Sequence, residues 1–141
     1  MTNLYLLPIK KLQAKADLIF SKYIRMRDTP GKCCTCGKFI DFKSCDAGHY
    51  MERNYKNTRY NEYNVHGQCR ECNRFKNGEK ALHRDYIDKE HGIENRTHLE
   101  YIAKITCPDY KFLLVAVIHG FQNRMDKELS QNEIKDNFNK H

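Results

Sequence analysis

Two pairs of cysteines carry the strongest chemical signal in the chain: Cys33 and Cys36 in KCCTCGK, and Cys69 and Cys72 in QCREC. Each C-x-x-C turn offers two thiolates and backbone N–H groups to the sulfurs. Two such knuckles can place four sulfurs tetrahedrally around one structural Zn²⁺. The 32 residues between the pairs exceed what a compact zinc ribbon needs, so a further element is expected between them. Cys34 fits only out of register, and we read Cys34, Cys45 and Cys107 as non-ligands. Two disulfides or scattered core thiols are the competing readings. The odd count of seven cysteines and a reducing compartment disfavour bridges. A structural zinc contributes on the order of 10 kcal/mol to folding, which suits a middle segment with little apolar material of its own.

Polar side chains crowd this framework. CDAGHYMERN, between the knuckles, centres on His49 with Asp46 three residues before it; NVHGQCRECNRFKNG carries Asn64, His66, Asn73 and Lys76 around the second pair. A histidine between Gly and Tyr is, by itself, more often a structural hydrogen-bonder than a catalyst. On an extended strand Asn64 and His66 share one face. Arg53, Lys56, Arg59, Arg70 and Arg74, interleaved with Tyr50, Tyr55, Tyr60 and Tyr63, suit phosphate contacts that read shape rather than base. His83, His91, His98, His119 and His141 fit no ligand spacing and read as surface or packing residues.

The order of these pieces resembles the zinc-stapled HNH (His-Me finger) nucleases. More closely, C-x-x-C-G at Cys33–Gly37, D-A-G-H-Y at Asp46–Tyr50, N-E-x-N-x-H-x-Q-C at Asn61–Cys69 and C-N-x-x-K at Cys72–Lys76 resemble the NinG (Rap) family of phage recombination endonucleases. The likeness covers roughly residues 10–92. It implies an α+β fold: a small ββα-metal, treble-clef-like zinc core embedded among α-helices, with strands carrying His49 and Asn64 and a helix starting near Cys69–Asn73. It also implies hydrolysis of branched DNA such as Holliday junctions and D-loops, leaving 5′ phosphate and 3′ hydroxyl. The residue types fit: a neutral His49 takes the water's proton, and one Mg²⁺ or Mn²⁺ held by few protein oxygens neutralises charge at the phosphate. Asn73 matches the family's metal-ligand position. Asn64 matches the position that orients the histidine, through its tautomer-fixing nitrogen or the neighbouring loop, and Lys76 would sit over the phosphates. Many HNH enzymes carry a metal-binding Asp immediately before the histidine; here that position is Gly48, so Asp46 and His66 are the candidate second ligands.

The elements that must position these residues are mostly helical. Residues 10–27 place Leu12, Ala16, Ile19, Phe20, Tyr23 and Ile24 on one stripe with Lys and Arg behind it, predicting a basic amphipathic helix. Asp28-Thr-Pro-Gly31 breaks it. Residues 32–78 form the expected core, with strand-like KFIDF and a short helix from Gln68–Cys69 to Asn77-Gly78. Residues 79–129 read as helices: Ala81–Glu90 closed by Gly92, a capping-box pattern Thr97-His-Leu-Glu100 opening a helix to about Thr106, and a last helix after Pro108. Its β-branched start leaves a buried strand as the alternative there. The tail 130–141 is expected to fray.

At 141 residues the chain is long enough for one domain that buries roughly 70% of its unfolded surface. The +7 charge is uneven: residues 1–32 carry seven Lys or Arg against two carboxylates, residues 33–80 nine against six, and residues 81–141 nine against ten. DNA is the natural partner of such a basic half, a homodimer would suit paired cuts, and neither membrane nor small-molecule cofactor is expected. The longest apolar run, FLLVAVI, is too short to span a bilayer, and MTNLYLLPIKK reads as no signal peptide, which points to the cytoplasm of a host bacterium. Beside the junction nuclease stand three alternatives: an HNH enzyme nicking ordinary or site-specific duplex, a zinc-dependent DNA-binding module without turnover, and a structural or partner-binding protein.

Overall fold

The computed structural model describes residues 3–140, so His141 and the first two residues of the N-terminal reading lie outside it. The fold class is mixed α+β with two small sheets. Helix α1 (Ile9–Asp28) leads into hairpin strands β1 (Gly31–Lys32) and β2 (Phe39–Ile40), then strands β3 (Cys45–His49) and β4 (Val65–Cys69). A five-residue π-type turn (Glu71–Phe75) and helices α2 (Lys80–His91), α3 (Ile93–Ala103) and α4 (Tyr110–Phe138) follow. Among the described residues no helix is long and apolar enough to cross a membrane.

The chain separates into two compact units: Met1–Tyr23 with Lys111–His141, and Ile24–Tyr110. In the first, the apolar stripe of α1 (Leu12, Ala16, Phe20) is buried, as are Leu114, Ile118 and Met125 of α4. Phe121 stacks edge-on to Phe20 at 4.9 Å, and Arg124 donates to the Tyr23 hydroxyl at 2.7 Å. The FLLVAVI run is helical, so period 3.6 outweighs its β-branched character. α4 also continues to Phe138 rather than fraying after Ser130, because residues 130–138 contain neither Gly nor Pro.

The second unit holds the cysteines. β3 and β4 pair antiparallel, Cys45 opposite Cys69 and His49 opposite Val65. Alternation therefore puts Asp46, Gly48, His66 and Gln68 on one face, and Cys45, Ala47, His49, Val65, Gly67 and Cys69 on the other. The end of α1 is tied to this ribbon: Asp28 Oδ2 accepts from the Gly67 N–H at 2.7 Å, and Arg27 donates to the Val65 carbonyl at 2.7 Å.

Two helix boundaries differ from expectation. The helix expected from Gln68 is only the turn Glu71–Phe75, because β4 keeps Gln68 and Cys69 extended and the Gly78 N–H bonds back to the Cys72 carbonyl at 2.8 Å. α3 starts at Ile93, not Thr97, since Gly92 at φ 88° ends α2 and starts α3 in one residue.

Candidate metal centre and histidine site

The sulfurs of Cys33, Cys36, Cys69 and Cys72 all lie within 4.8 Å of one another. With Zn–S bonds of about 2.3 Å, a regular tetrahedron has edges of about 3.8 Å; Cys36 Sγ and Cys69 Sγ are 3.8 Å apart. All seven cysteines are free thiols, and Cys34, Cys45 and Cys107 stay outside the group. β1 and β2 close the first knuckle, with the Cys33 N–H on the Lys38 carbonyl at 2.7 Å and Gly37 turning at φ 76°. The Cys72 N–H approaches Cys69 Sγ at 3.5 Å in the second. Burial pushes the Cys72 thiol up to about 12, and neighbouring Cys69 and Cys36 add to the push. Four sulfurs packed this tightly could hold a metal ion, and the donor set fits structural zinc.

Gln68 joins the two knuckles. Its side-chain N–H₂ donates to Thr35 Oγ1 at 3.1 Å and to the Gly78 carbonyl at 2.8 Å, while Oε1 is buried without a partner. Sequence reading quoted Gln68 without assigning it a role; its signal is a polar residue at a fully inward strand position.

His49 ends β3. Its Nε2 is 2.9 Å from the Arg59 carbonyl, so that nitrogen carries the proton and Nδ1 is the basic one. Burial lowers its pKa to about 4; the bond to Arg59 opposes this, and the cations of Arg53, Arg59 and Lys80 add to it. The ring is neutral at pH 7. Lys80 also donates to the His49 backbone carbonyl. Asn64 acts through the loop: its Oδ1 accepts from the Met51 N–H at 2.7 Å, and its Nδ2 donates to the Met51 and Thr58 carbonyls, both at 3.0 Å. That amide fixes the segment whose next carbonyl, at Arg59, holds the imidazole.

Asp46 and Asn73 also meet, Asn73 Nδ2 donating to Asp46 Oδ2 at 3.1 Å. Arg74 grips the same carboxylate with two bonds, 2.8 and 3.0 Å. Asp46 and His49, however, lie on opposite ribbon faces and three residues, roughly 10 Å, apart along β3. His66 shares the face of Asp46 but its ring is engaged elsewhere. Its Nδ1 pairs with His83 Nε2 at 3.0 Å and its Nε2 with His91 Nε2 at 2.9 Å, leaving no ring nitrogen for an ion. His83 and His91, read from sequence as bystanders, thus form a chain of three imidazoles with His66; their spacing of eight residues along α2 puts both on one helical face.

The basic residues divide. Arg59 is only 8% exposed and donates to the Arg53 carbonyl at 2.7 Å, so it is a framework residue and not a surface phosphate contact. Arg53, Arg70, Arg74 and Lys76 are exposed. Lys76 lies 3.7 Å from the Glu71 carboxylate, and Arg70 donates to the Lys43 carbonyl.

A family model described as Bacteriophage Lambda NinG protein matches residues 3–117, a span holding every residue of this site. The chain belongs to the NinG family. It is 34% identical to Protein ninG of Escherichia phage lambda over 103 residues, 67% of this chain and 50% of that protein. To Protein ninG of Salmonella phage P22 it is 32% identical over 96 residues, 62% of this chain and 47% of the relative. The chain thus spans about half the length of the curated relatives it matches. No solved structure matches it. Within this NinG chain the stapled knuckles, the His49 clamp and the Asp46–Asn73 pair all belong to the matched segment.

Proposed function

We propose that this NinG-family chain is a divalent-metal-dependent DNA endonuclease of the HNH (His-Me finger) type, acting on branched or structured DNA during phage recombination. The observation that carries the reading is the His49 clamp: a neutral imidazole with its Nε2–H fixed on the Arg59 carbonyl and Nδ1 left to accept a proton. The β3–β4 ribbon and the zinc-anchored turn after it support a ββα-metal reading of the core. In that reading His49 takes the proton of the attacking water. Asp46 and Asn73 would hold Mg²⁺ or Mn²⁺, an oxygen-poor set of the kind that leaves such ions several waters. The ion, once bound, supplies positive charge at the scissile phosphate. Asp46 must give up Arg74 to bind it, which would free that guanidinium for a phosphate. Lys76, Arg70 and Arg53 extend the cationic approach.

One observation favours a second reading, a zinc-dependent DNA-binding module without turnover. Asp46 is held by Arg74 and faces away from His49. The two separate cleanly. Purified zinc-loaded protein is incubated with labelled four-way junction, linear duplex and single strand, with and without Mg²⁺ or Mn²⁺, beside His49→Ala. The nuclease reading expects metal-dependent cutting of the junction that His49→Ala loses while retaining zinc and DNA binding. Binding without cutting would establish the second reading, and equal cutting of linear duplex would remove the preference for branches.

A further inference from the structure

We infer that the exposed ring of Phe75 is a stacking platform for an unpaired base of the DNA strand, an inference that rests on the DNA-directed reading above. Phe75 is 81% exposed, the last residue of the turn that begins at Glu71. A large apolar ring held in water on a flexible loop would be unremarkable, but this turn is pinned at every other position. Cys72 belongs to the four-cysteine cluster, Asn73 and Arg74 are both bonded to Asp46, and the Lys76 N–H returns to the Glu71 carbonyl at 3.1 Å. The ring is therefore presented by a rigid base, which lowers the entropy lost when something stacks on it.

Charge identifies the occupant. Phe75 sits between Arg74 and Lys76, both exposed, with Arg70 one turn earlier. The start of the same turn borders a recess of about 200 Å³ whose rim carries Lys38, Arg70, a second exposed ring, Phe39, at 66%, and one carboxylate, Glu71, which Lys76 faces at 3.7 Å. Aromatic faces alternating with cations match a single strand, whose bases have π-faces and whose backbone is anionic. Paired bases in a continuous duplex are already stacked on each other and offer no free face, so the platform discriminates in favour of unpaired nucleotides at gaps and branch points. Two phenylalanines, unlike the tyrosines singled out from sequence, supply it.

The test uses full-length zinc-loaded protein carrying Phe75→Ala or Phe75→Trp. Affinity is read by fluorescence anisotropy, without added Mg²⁺ or Mn²⁺, on a duplex with a short single-stranded gap and on the same duplex fully paired. Phe75→Ala should weaken gapped-DNA binding by about 5- to 100-fold, the range one base–aromatic stack supplies, and change duplex binding by less than about twofold. Phe75→Trp should hold or improve it. A 2-aminopurine opposite the platform should be quenched by wild type and not by Phe75→Ala. Equal loss on both DNAs, unchanged gapped-DNA affinity, or a change of oligomeric state with no change in DNA affinity would overturn the inference. Failure of the nuclease reading looks different: no cutting of any DNA by wild type, whatever Phe75 does to binding.

Discussion

The Gln68 carboxamide occupies the space that a side chain at Gly48 would need, since a Cβ there would lie 1.9 Å from Gln68 Oε1. The two residues sit diagonally on one face of β3–β4. Gln68 cannot swing aside without releasing Thr35 in the first knuckle and Gly78 beyond the second. Glycine at position 48 is thus a consequence of how this chain braces its four-cysteine cluster.

A side chain at position 48 should therefore harm the protein. Gly48→Ala should lower stability by about 1–3 kcal/mol through overpacking, and Gly48→Asp by more, because it also buries a carboxylate. Urea unfolding midpoints measure both. A Gly48→Asp protein as stable as wild type would show that Gln68 yields easily.

Zinc should be stoichiometric and structural. Elemental analysis of reduced protein should find one zinc per chain, and Cys69→Ser should lose it together with much of the helical circular-dichroism signal of the Ile24–Tyr110 unit. Cys107→Ser should keep both, since its thiol is outside the cluster.

Sequence made the four-cysteine cluster legible because C-x-x-C spacing is a local pattern that fixes ligand geometry wherever the intervening chain goes. The amphipathic stripe of α1 was legible for the same reason. Partners chosen across the fold were not. Arg59 looks like any loop cation until its neighbours bury it, and His83 and His91 meet His66 only because α2 packs over the polar face of the ribbon. For Asn64 the sequence left open whether its amide meets the ring or the loop; its side chain bonds to Met51 and Thr58 of the loop.

Asn64→Ala should loosen that loop. It leaves the part-buried Met51 N–H without its partner, at about 1–3 kcal/mol, and leaves the Thr58 carbonyl only the Asn61 N–H. Because the loop also buries His49, an NMR titration should show its pKa rising from about 4 toward the ordinary 6.5 as solvent enters. A merely structural role far from His49 would lower stability and leave that titration unmoved.

Acid should unfold the protein through its buried imidazoles. Burial lowers His66 to about 2, with His83, Arg27 and His91 adding to it, and lowers His83 to about 3, with Lys80 and His49 adding to it. Both folded-state values lie below the ordinary 6.5, so the unfolded chain takes up protons first. The stability these neutral rings provide is complete above about pH 6.5 and is lost as pH falls toward 3 and then 2, at about 1.4 kcal/mol per pH unit for each ring. That loss is of the same order as a domain's whole margin of about 5–15 kcal/mol. Zinc release in acid adds to the effect, so the measurement is the slope of unfolding free energy against pH between 7 and 5.5, where zinc retention can be checked in the same samples. His83→Gln should flatten that slope by roughly half a proton's worth or more, rising toward one proton at the acid end, even if it lowers stability at every pH. An unchanged slope would mean that His83 is already charged in the folded protein, which its place at the buried end of the imidazole chain argues against.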